Sequence, residues 1–200
     1  MTPRRIAVLL VVLLAGACSF LKPRPDATRY FVLTPSAPRS GATPPAATVG
    51  LDHVELPDYL IRPELVTRAA SNQLTIAGDD VWGEPIKDGF ARTLRHDLES
   101  ELGGARVATA PFEPATRPDL AVDVEVQRFE RVAGAGALLE ARWTVRDVKA
   151  GTIVAQREAR LQQPAADGDA EAAVAALSRD VAALATEIAG VVRTTVSQRR

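Results

Sequence analysis

The chain has 200 residues, of which 46% are hydrophobic, and its 24 basic and 25 acidic residues leave a formal net charge of −1. Without a basic excess, this composition argues against a nucleic-acid-binding protein. The single cysteine excludes an intramolecular disulfide, so the burial of apolar side chains must hold the fold together. The length is sufficient for one domain with a substantial core.

The N-terminus has the pattern of a bacterial lipoprotein signal. Arg4 and Arg5 precede an apolar stretch that is too short to span a membrane, and small residues lead up to Cys18. The segment resembles signals whose cleavage leaves the cysteine as the first residue, with lipid on its thiol and amine. We therefore predict a signal peptide over residues 1–17 and a covalent lipid on Cys18. The alternative is an ordinary secretory signal, which would leave an unpaired thiol in an oxidising compartment.

The residues after the cysteine predict where the protein is held. In the Gram-negative lipoproteins that the signal resembles, an aspartate in the next position favours the inner membrane. Ser19 therefore predicts the periplasmic face of the outer membrane. Residues 18–28 form a tether with two prolines, and the ten residues after the cysteine span at most about 35 Å. The single domain predicted for residues 29–200 should lie close to its membrane.

Four short strands are predicted in the first half of the domain. Pro35 ends the first strand, and residues 35–47 form a loop rich in proline, alanine and serine that we expect to be mobile. Ser71 and Asn72 form a plausible hairpin turn between the third and fourth strands. The predicted strands cover residues 29–34, 49–56, 65–69 and 74–76.

A helix follows, opened by residues 81–85. Pro85 suits the first turn of a helix, where its missing N–H would have no partner. An apolar residue recurs every four positions and gives the helix one apolar face. These residues are Ile86, Phe90, Leu94, Leu98 and Leu102. Gly103 and Gly104 end the helix, as expected where a left-handed residue is needed.

Three longer strands alternate apolar and polar residues. This period of two predicts an antiparallel sheet with one covered face and one face that is free to meet water or a partner. Arg142 and Arg146 lie on the polar face, where solvation alone would account for them. The three strands cover residues 120–127, 139–146 and 153–161.

A long helix closes the chain over about residues 169–198, with Asp167 or Asp169 as its cap. Its apolar residues have heptad spacing. They are Val174, Leu177, Val181, Leu184, Ile188 and Val191. This stripe suits a helix that lies on the sheet, and it would also permit pairing with a second copy, hence a homo-oligomer. The elements predict an α+β fold, an antiparallel β-sheet with two helices packed on one face.

The chain shows no pattern typical of catalysis. His53 follows Asp52 and His96 precedes Asp97, but neighbours on a strand or helix point in different directions. No nucleophile, phosphate-binding or zinc-protease motif occurs, and two separated histidines do not make a metal site. We therefore expect no enzyme activity and no cofactor apart from the lipid on Cys18.

An ordered set of motifs gives the chain a family resemblance. The set comprises five segments. They are Arg29-Tyr30-Phe31-Val32-Leu33, Val54-x-Leu56-Pro57-x-Tyr59-Leu60-x-Arg62-Pro63, Val66-x-Arg68, Val81-Trp82-Gly83-Glu84-Pro85-Ile86 and Ala141-Arg142-Trp143. In this order the chain resembles the PqiC-type family, the auxiliary lipoproteins of ABC-type transport systems that contain an MCE-domain subunit. Gly83 stands where that family often has alanine. The resemblance implies lipid transport across the periplasm, with the MCE-domain protein and its permease and ATPase as partners.

The loop between Pro57 and Pro63 is the candidate docking site, together with the tryptophan that precedes the first helix. Tyrosine, tryptophan and arginine are frequent anchors at protein interfaces. The candidate partner-binding residues are Tyr59, Leu60, Arg62 and Trp82. The alternative is that Tyr59 and Leu60 cap the core and Trp82 packs beneath the helix.

Two other functions fit the same anchor and small domain. One is a regulatory or structural envelope lipoprotein that activates a peptidoglycan synthase or helps to assemble the outer membrane. The other is direct lipid carriage within the domain, which requires an apolar cavity.

Overall fold

The computed structural model describes residues 27–38 and 41–199, so the signal peptide, Cys18 and most of the tether lie outside the described residues. An eight-stranded sheet carries two α-helices. The strands are β1 (Arg29–Phe31), β2 (Val49–Glu55), β3 (Glu64–Ala70), β4 (Gln73–Trp82), β5 (Val107–Thr109), β6 (Leu120–Val132), β7 (Gly136–Asp147) and β8 (Thr152–Gln163). The helices are α1 (Ile86–Glu101) and α2 (Ala170–Gln198).

The sheet is mixed, which corrects the prediction of a purely antiparallel one. Strands β6, β7 and β8 are antiparallel neighbours as expected, and β3 and β4 form the predicted hairpin. The other edge of β6 pairs in parallel with β2 near its start and with β3 near its end. Parallel neighbours need a long crossover connection, and the connection between β2 and β6 includes α1. Strands β1 and β8 lie at opposite edges of the sheet.

Both helices cover the same face of the sheet, as predicted. Helix α1 lies against β2 and β5, α2 lies against β6, β7 and β8, and the two helices pack on each other. The apolar stripe of α1 is fully buried, and Phe90 meets Phe129 of β6 edge to face with 5.2 Å between ring centroids. Gly103 and Gly104 follow the helix with positive φ angles of 70° and 86°. They end α1 where the sequence predicted.

Helix α2 begins at Ala170, and the side chain of Asp169 caps it by accepting the N–H of Ala172 at 3.0 Å. Five of its six heptad residues are buried and Val191 is partly buried. The sheet and α1 therefore cover this stripe, as expected for a helix that lies on the sheet.

The proline-rich loop is fixed to α1 near its start. One carboxylate oxygen of Asp97 accepts the backbone N–H groups of Ser36 and Ala37 at 2.9 and 2.8 Å. The described residues of the loop, 35–38 and 41–47, form no helix or strand. Its expected mobility stays a prediction.

Candidate docking site

The loop between Pro57 and Pro63 is held by hydrogen bonds at both ends. A single turn of 3-10 helix covers Asp58–Leu60, and the N–H of Leu60 donates to the carbonyl of Pro57 at 2.9 Å. At the other end, the N–H of Trp82 donates to the carbonyl of Pro63 at 2.6 Å. The loop is therefore fixed to the end of β4, directly before α1.

Two of the four candidate residues in and beside this loop point inward. Leu60 is 4% exposed and belongs to the core. The Tyr59 hydroxyl is buried, and no group in the described part of the chain makes a well-formed hydrogen bond with it. Burial, reinforced by the adjacent Glu130 carboxylate, raises the pKa of Tyr59 to about 12. The Arg68 guanidinium lies over the Tyr59 ring, 5.9 Å from its centroid.

Tyr59 thus borders a buried charged cluster. Glu130 accepts hydrogen bonds from two nitrogens of Arg68 and from Arg128, the last at 3.0 Å. Burial alone would raise the pKa of Glu130, but the hydrogen bonds from the neighbouring side chains outweigh it and hold the pKa below its ordinary value. The cluster joins β3 to β6 and gives Tyr59 a fixed position.

The other two candidate residues line an open groove of about 450 Å³. Its main side chains are Ile61, Arg62, Pro63, Trp82, Glu84 and Lys87. Ile61 is 51% exposed although it is a large apolar residue. Arg62 donates to Glu64 at 3.0 Å, and Trp82 is partly buried against the core. The groove therefore combines apolar side chains with cationic and anionic groups at its border.

A second exposed apolar surface lies next to the groove. Tyr30 is 72% exposed and Val32 is 51% exposed, and we call these two residues the edge patch. The N–H of Gly83 donates to Phe31 at 2.7 Å, and a Cβ on Gly83 would lie 3.1 Å from a methyl carbon of Val32. The glycine at this position thus lets β1 approach the start of α1 closely.

The outer face of the sheet carries ion pairs between neighbouring strands. Arg142 donates to Glu158 at 3.0 Å and to Glu125 at 3.5 Å. Arg146 donates to Asp123 at 2.7 Å and to Asp52 at 2.5 Å. The two arginines of β7 are therefore paired with carboxylates of β2, β6 and β8 across this face.

The described residues show no arrangement typical of catalysis. Both histidines are exposed and lie beside carboxylates, His53 at 3.4 Å from Glu55 and His96 at 3.5 Å from Glu99. Within residues 27–38 and 41–199, no three histidine, cysteine or acidic side chains are grouped so that they could hold a metal ion. In the same ranges, no helix has the length and apolar character needed to cross a membrane.

Sequence reasoning did not single out Tyr30, Val32, Ile61 or Lys87 as surface residues. The available signals were weak. Ile61 is an apolar residue in a loop without strand periodicity. Residues 30–33 are all apolar, a pattern that does not distinguish a buried strand from one at the edge of the sheet, where β1 lies.

Comparison with known proteins identifies the family. The model for the ABC-type transport auxiliary lipoprotein component matches residues 31–189. No curated protein matches the chain. A crystal structure of a Xanthomonas campestris protein aligns with a TM-score of 0.73 at 21% identity, covering 86% of this chain and 98% of that one. A second crystal structure, of an uncharacterized protein, aligns with a TM-score of 0.68 at 21% identity, covering 82% and 98%.

These two structures share the fold of this chain, and the family match covers most of the described domain. A family of auxiliary components is consistent with a site that lacks catalytic geometry. The chain belongs to the family of ABC-type transport auxiliary lipoprotein components.

Proposed function

We propose that this protein is the outer-membrane accessory subunit of an ABC-type system whose MCE-domain protein moves lipid between the two membranes. The lipid on Cys18 holds it at the periplasmic face. The family match over residues 31–189 is the observation that carries this proposal. The partners are the MCE-domain protein and its permease and ATPase, which supply the energy for transport.

The groove is the proposed docking surface for this assembly. Ile61 and Trp82 offer apolar contact area, and Arg62 and Lys87 offer cationic groups beside it. Interfaces commonly combine aromatic and arginine anchors in this way. Tyr59 and Leu60 support the groove from below, since the loop that presents Arg62 is fixed by the buried Leu60 and by the partly buried Tyr59, which packs against the core.

The core gives no support to lipid carriage inside the domain. The cavity between Leu60, Phe129 and Leu177 has a volume of about 50 Å³. One water molecule occupies roughly 30 Å³ in the liquid, so this space is far too small for an acyl chain. A docking role agrees better with a core that is filled by its own side chains.

Affinity purification from native envelopes tests the proposal. The tagged full-length protein is solubilised in mild detergent, and its partners are identified by mass spectrometry. We expect the MCE-domain subunit with its permease or ATPase. Ile61→Asp should abolish this recovery, because it places a charge in the groove. Ile153→Asp is the matched control, since Ile153 is 61% exposed and lies on β8 at the opposite edge of the sheet.

One result would contradict the proposed function, and another would contradict only the proposed docking surface. Recovery of a peptidoglycan synthase in place of the transport subunits would favour the regulatory alternative. Equal recovery with both variants would keep the transport function and exclude the groove as its docking surface.

A second copy of this chain is a further proposed partner. Because the apolar stripe of α2 is buried, a homo-oligomer would need another surface. In the described part of the chain, β8 pairs only with β7, and an unpaired strand edge can recruit another strand. Light scattering in detergent should give a protein mass above that of a monomer, and a monomer at micromolar concentration would contradict this proposal.

A further inference from the structure

We infer that the edge patch, Tyr30 and Val32, rests on the lipid surface to which Cys18 holds the protein. This inference depends on the lipid anchor of the proposed function. It adds a second contact with the membrane, made by the folded domain itself, and so fixes which side of the domain faces the bilayer.

The exposure of the edge patch is the first observation. Tyr30 lies in β1 and Val32 follows the end of that strand, and both side chains face Gly83, where an added Cβ would lie 4.0 Å from the Tyr30 Cβ and 3.1 Å from a Val32 methyl carbon. They border an open cleft of about 640 Å³ between β1 and the start of α2, where the exposed Ala175 continues the apolar surface and the buried Val174 forms part of the wall. Contiguous exposed apolar surface of this kind is typical of a contact with a partner or a membrane.

The position of the patch along the chain selects the membrane as its occupant. Eight residues lie between Cys18 and Ala27, where the described domain begins, and the nine Cα–Cα steps from Cys18 to Ala27 span at most about 32 Å. Tyr30 follows only three residues later. A tether this short keeps the patch at a high effective concentration beside the bilayer, so a weak contact with lipid is sufficient to orient the domain.

The chemistry around the patch suits a bilayer interface. Tyrosine is enriched at the level of lipid headgroups, where its ring lies in apolar surroundings and its hydroxyl reaches water. Two carboxylates on this edge are paired with arginines, Asp80 with Arg29 at 2.7 Å and Glu84 with Arg92 at 2.6 Å. Asp79 and Asp169 are further carboxylates near Arg29, and Glu171 lies across the cleft in the first turn of α2, where the helix dipole favours an acidic residue.

Fluorescence quenching tests this inference. The full-length protein, purified with its native anchor, is reconstituted into vesicles of phosphatidylethanolamine and phosphatidylglycerol that contain brominated phosphatidylcholine. Tyr30→Trp places a reporter in the patch, and Ile153→Trp places one at a similarly exposed position on the opposite edge of the sheet. Both variants keep Trp82 and Trp143, whose emission is subtracted by using the parent protein.

We expect the emission of the tryptophan at position 30 to shift to shorter wavelength in vesicles and to be quenched by bromine, with neither change at position 153. Flotation of the vesicles is measured in parallel. Protein that floats with equal emission from both reporters overturns the inference and leaves the anchor intact. Protein that does not float overturns both the inference and the anchor.

The same fluorescence measurement would reveal a protein, in place of lipid, bound to the edge patch. A blue-shifted tryptophan at position 30 before vesicles are added, unchanged by brominated lipid, would indicate that a second copy covers the patch. That result would also overturn the inference.

Discussion

Arg68 of β3 and Glu130 of β6 form a two-point ion pair in which Nε and one Nη of the guanidinium donate to the two carboxylate oxygens. The Glu130 side chain is fully buried, whereas Arg68 retains some exposure. Only two residue pairs, Thr67 with Arg131 and Arg68 with Val132, join β3 to β6 in the sheet. The ion pair therefore reinforces the shortest junction on which the β3–β4 hairpin and β1 depend.

Glu130→Gln should lower the free energy of unfolding by about 1–3 kcal/mol, because it leaves Arg68 and Arg128 facing a neutral group. Urea unfolding at neutral pH measures the effect. The control is Glu158→Gln, which removes the exposed partner of Arg142 and should cause no resolvable change. Since the pKa of Glu130 lies below its ordinary value of 4.5, the effect should diminish as the pH falls below that value. Equal destabilisation by the two variants would contradict the prediction.

Asp180 should make the protein less stable at alkaline pH. Both of its carboxylate oxygens are buried without a hydrogen-bond partner among the described residues, and burial raises its pKa from 3.8 to about 7. Between these values the folded state holds a proton that the unfolded state releases, so stability falls as the pH rises through the range.

Asp180→Asn should remove this pH dependence. At pH 8 the variant should be more stable than the parent by roughly 2 kcal/mol or more, and near pH 4 the two should be alike. Thermal unfolding across pH measures the difference. The exposed residue Glu187, on the same helix, provides the control variant Glu187→Gln. A constant difference between Asp180→Asn and the parent at all pH values would exclude ionisation as the cause.

Asp97 should control the order of the proline-rich loop. Asp97→Ala removes the acceptor of the Ser36 and Ala37 N–H groups, so these amides should exchange hydrogen faster, with about 1–3 kcal/mol lost in stability. Asp97→Asn keeps an oxygen in the same place and should preserve slow exchange. Hydrogen exchange read by mass spectrometry distinguishes the two variants, and equally fast exchange in both would show that the charge matters more than the acceptor.

Gly103 and Gly104 form a matched pair at the end of α1. Both have positive φ, so alanine at either position costs about 1–2 kcal/mol of backbone strain. At Gly103 the new Cβ would also lie 2.1 Å from the Ala42 carbonyl oxygen, whereas at Gly104 no atom of the described residues lies within 4 Å. Gly103→Ala should therefore lower the melting temperature more than Gly104→Ala. Equal melting temperatures would show that the 41–47 segment yields without cost.

The helices and long strands could be predicted because their signals are local. The four-residue spacing of α1, the cap Asp169 and the alternation in β6 to β8 all depend on residues within one element. The parallel pairing of β2 with β6 could not be predicted, because alternation indicates which face is buried and gives no direction for the neighbouring strand. Strand β5 has only three residues and was missed.

The candidate site was predictable to a similar extent. The two prolines mark the loop in the sequence, yet the inward orientation of Tyr59 depends on Glu130 and Arg68, which lie on strands β6 and β3. A single sequence does not indicate that these three residues meet. For the same reason the exposure of Tyr30 became evident only once β1 was placed at an edge of the sheet.

The 29 residues of α2 set the length of the domain along the axis of this helix. At 1.5 Å per residue the helix is about 43 Å long. Val174, near its start, lies at the cleft beside Tyr30, and after its end Arg199 pairs with Asp147 at 2.6 Å. If the Tyr30 end rests on the outer membrane, an upright helix carries the β7–β8 turn about 40 Å into the periplasm. That turn would then be the part of the domain farthest from the lipid, whereas the groove, which adjoins the edge patch, would lie near the membrane surface.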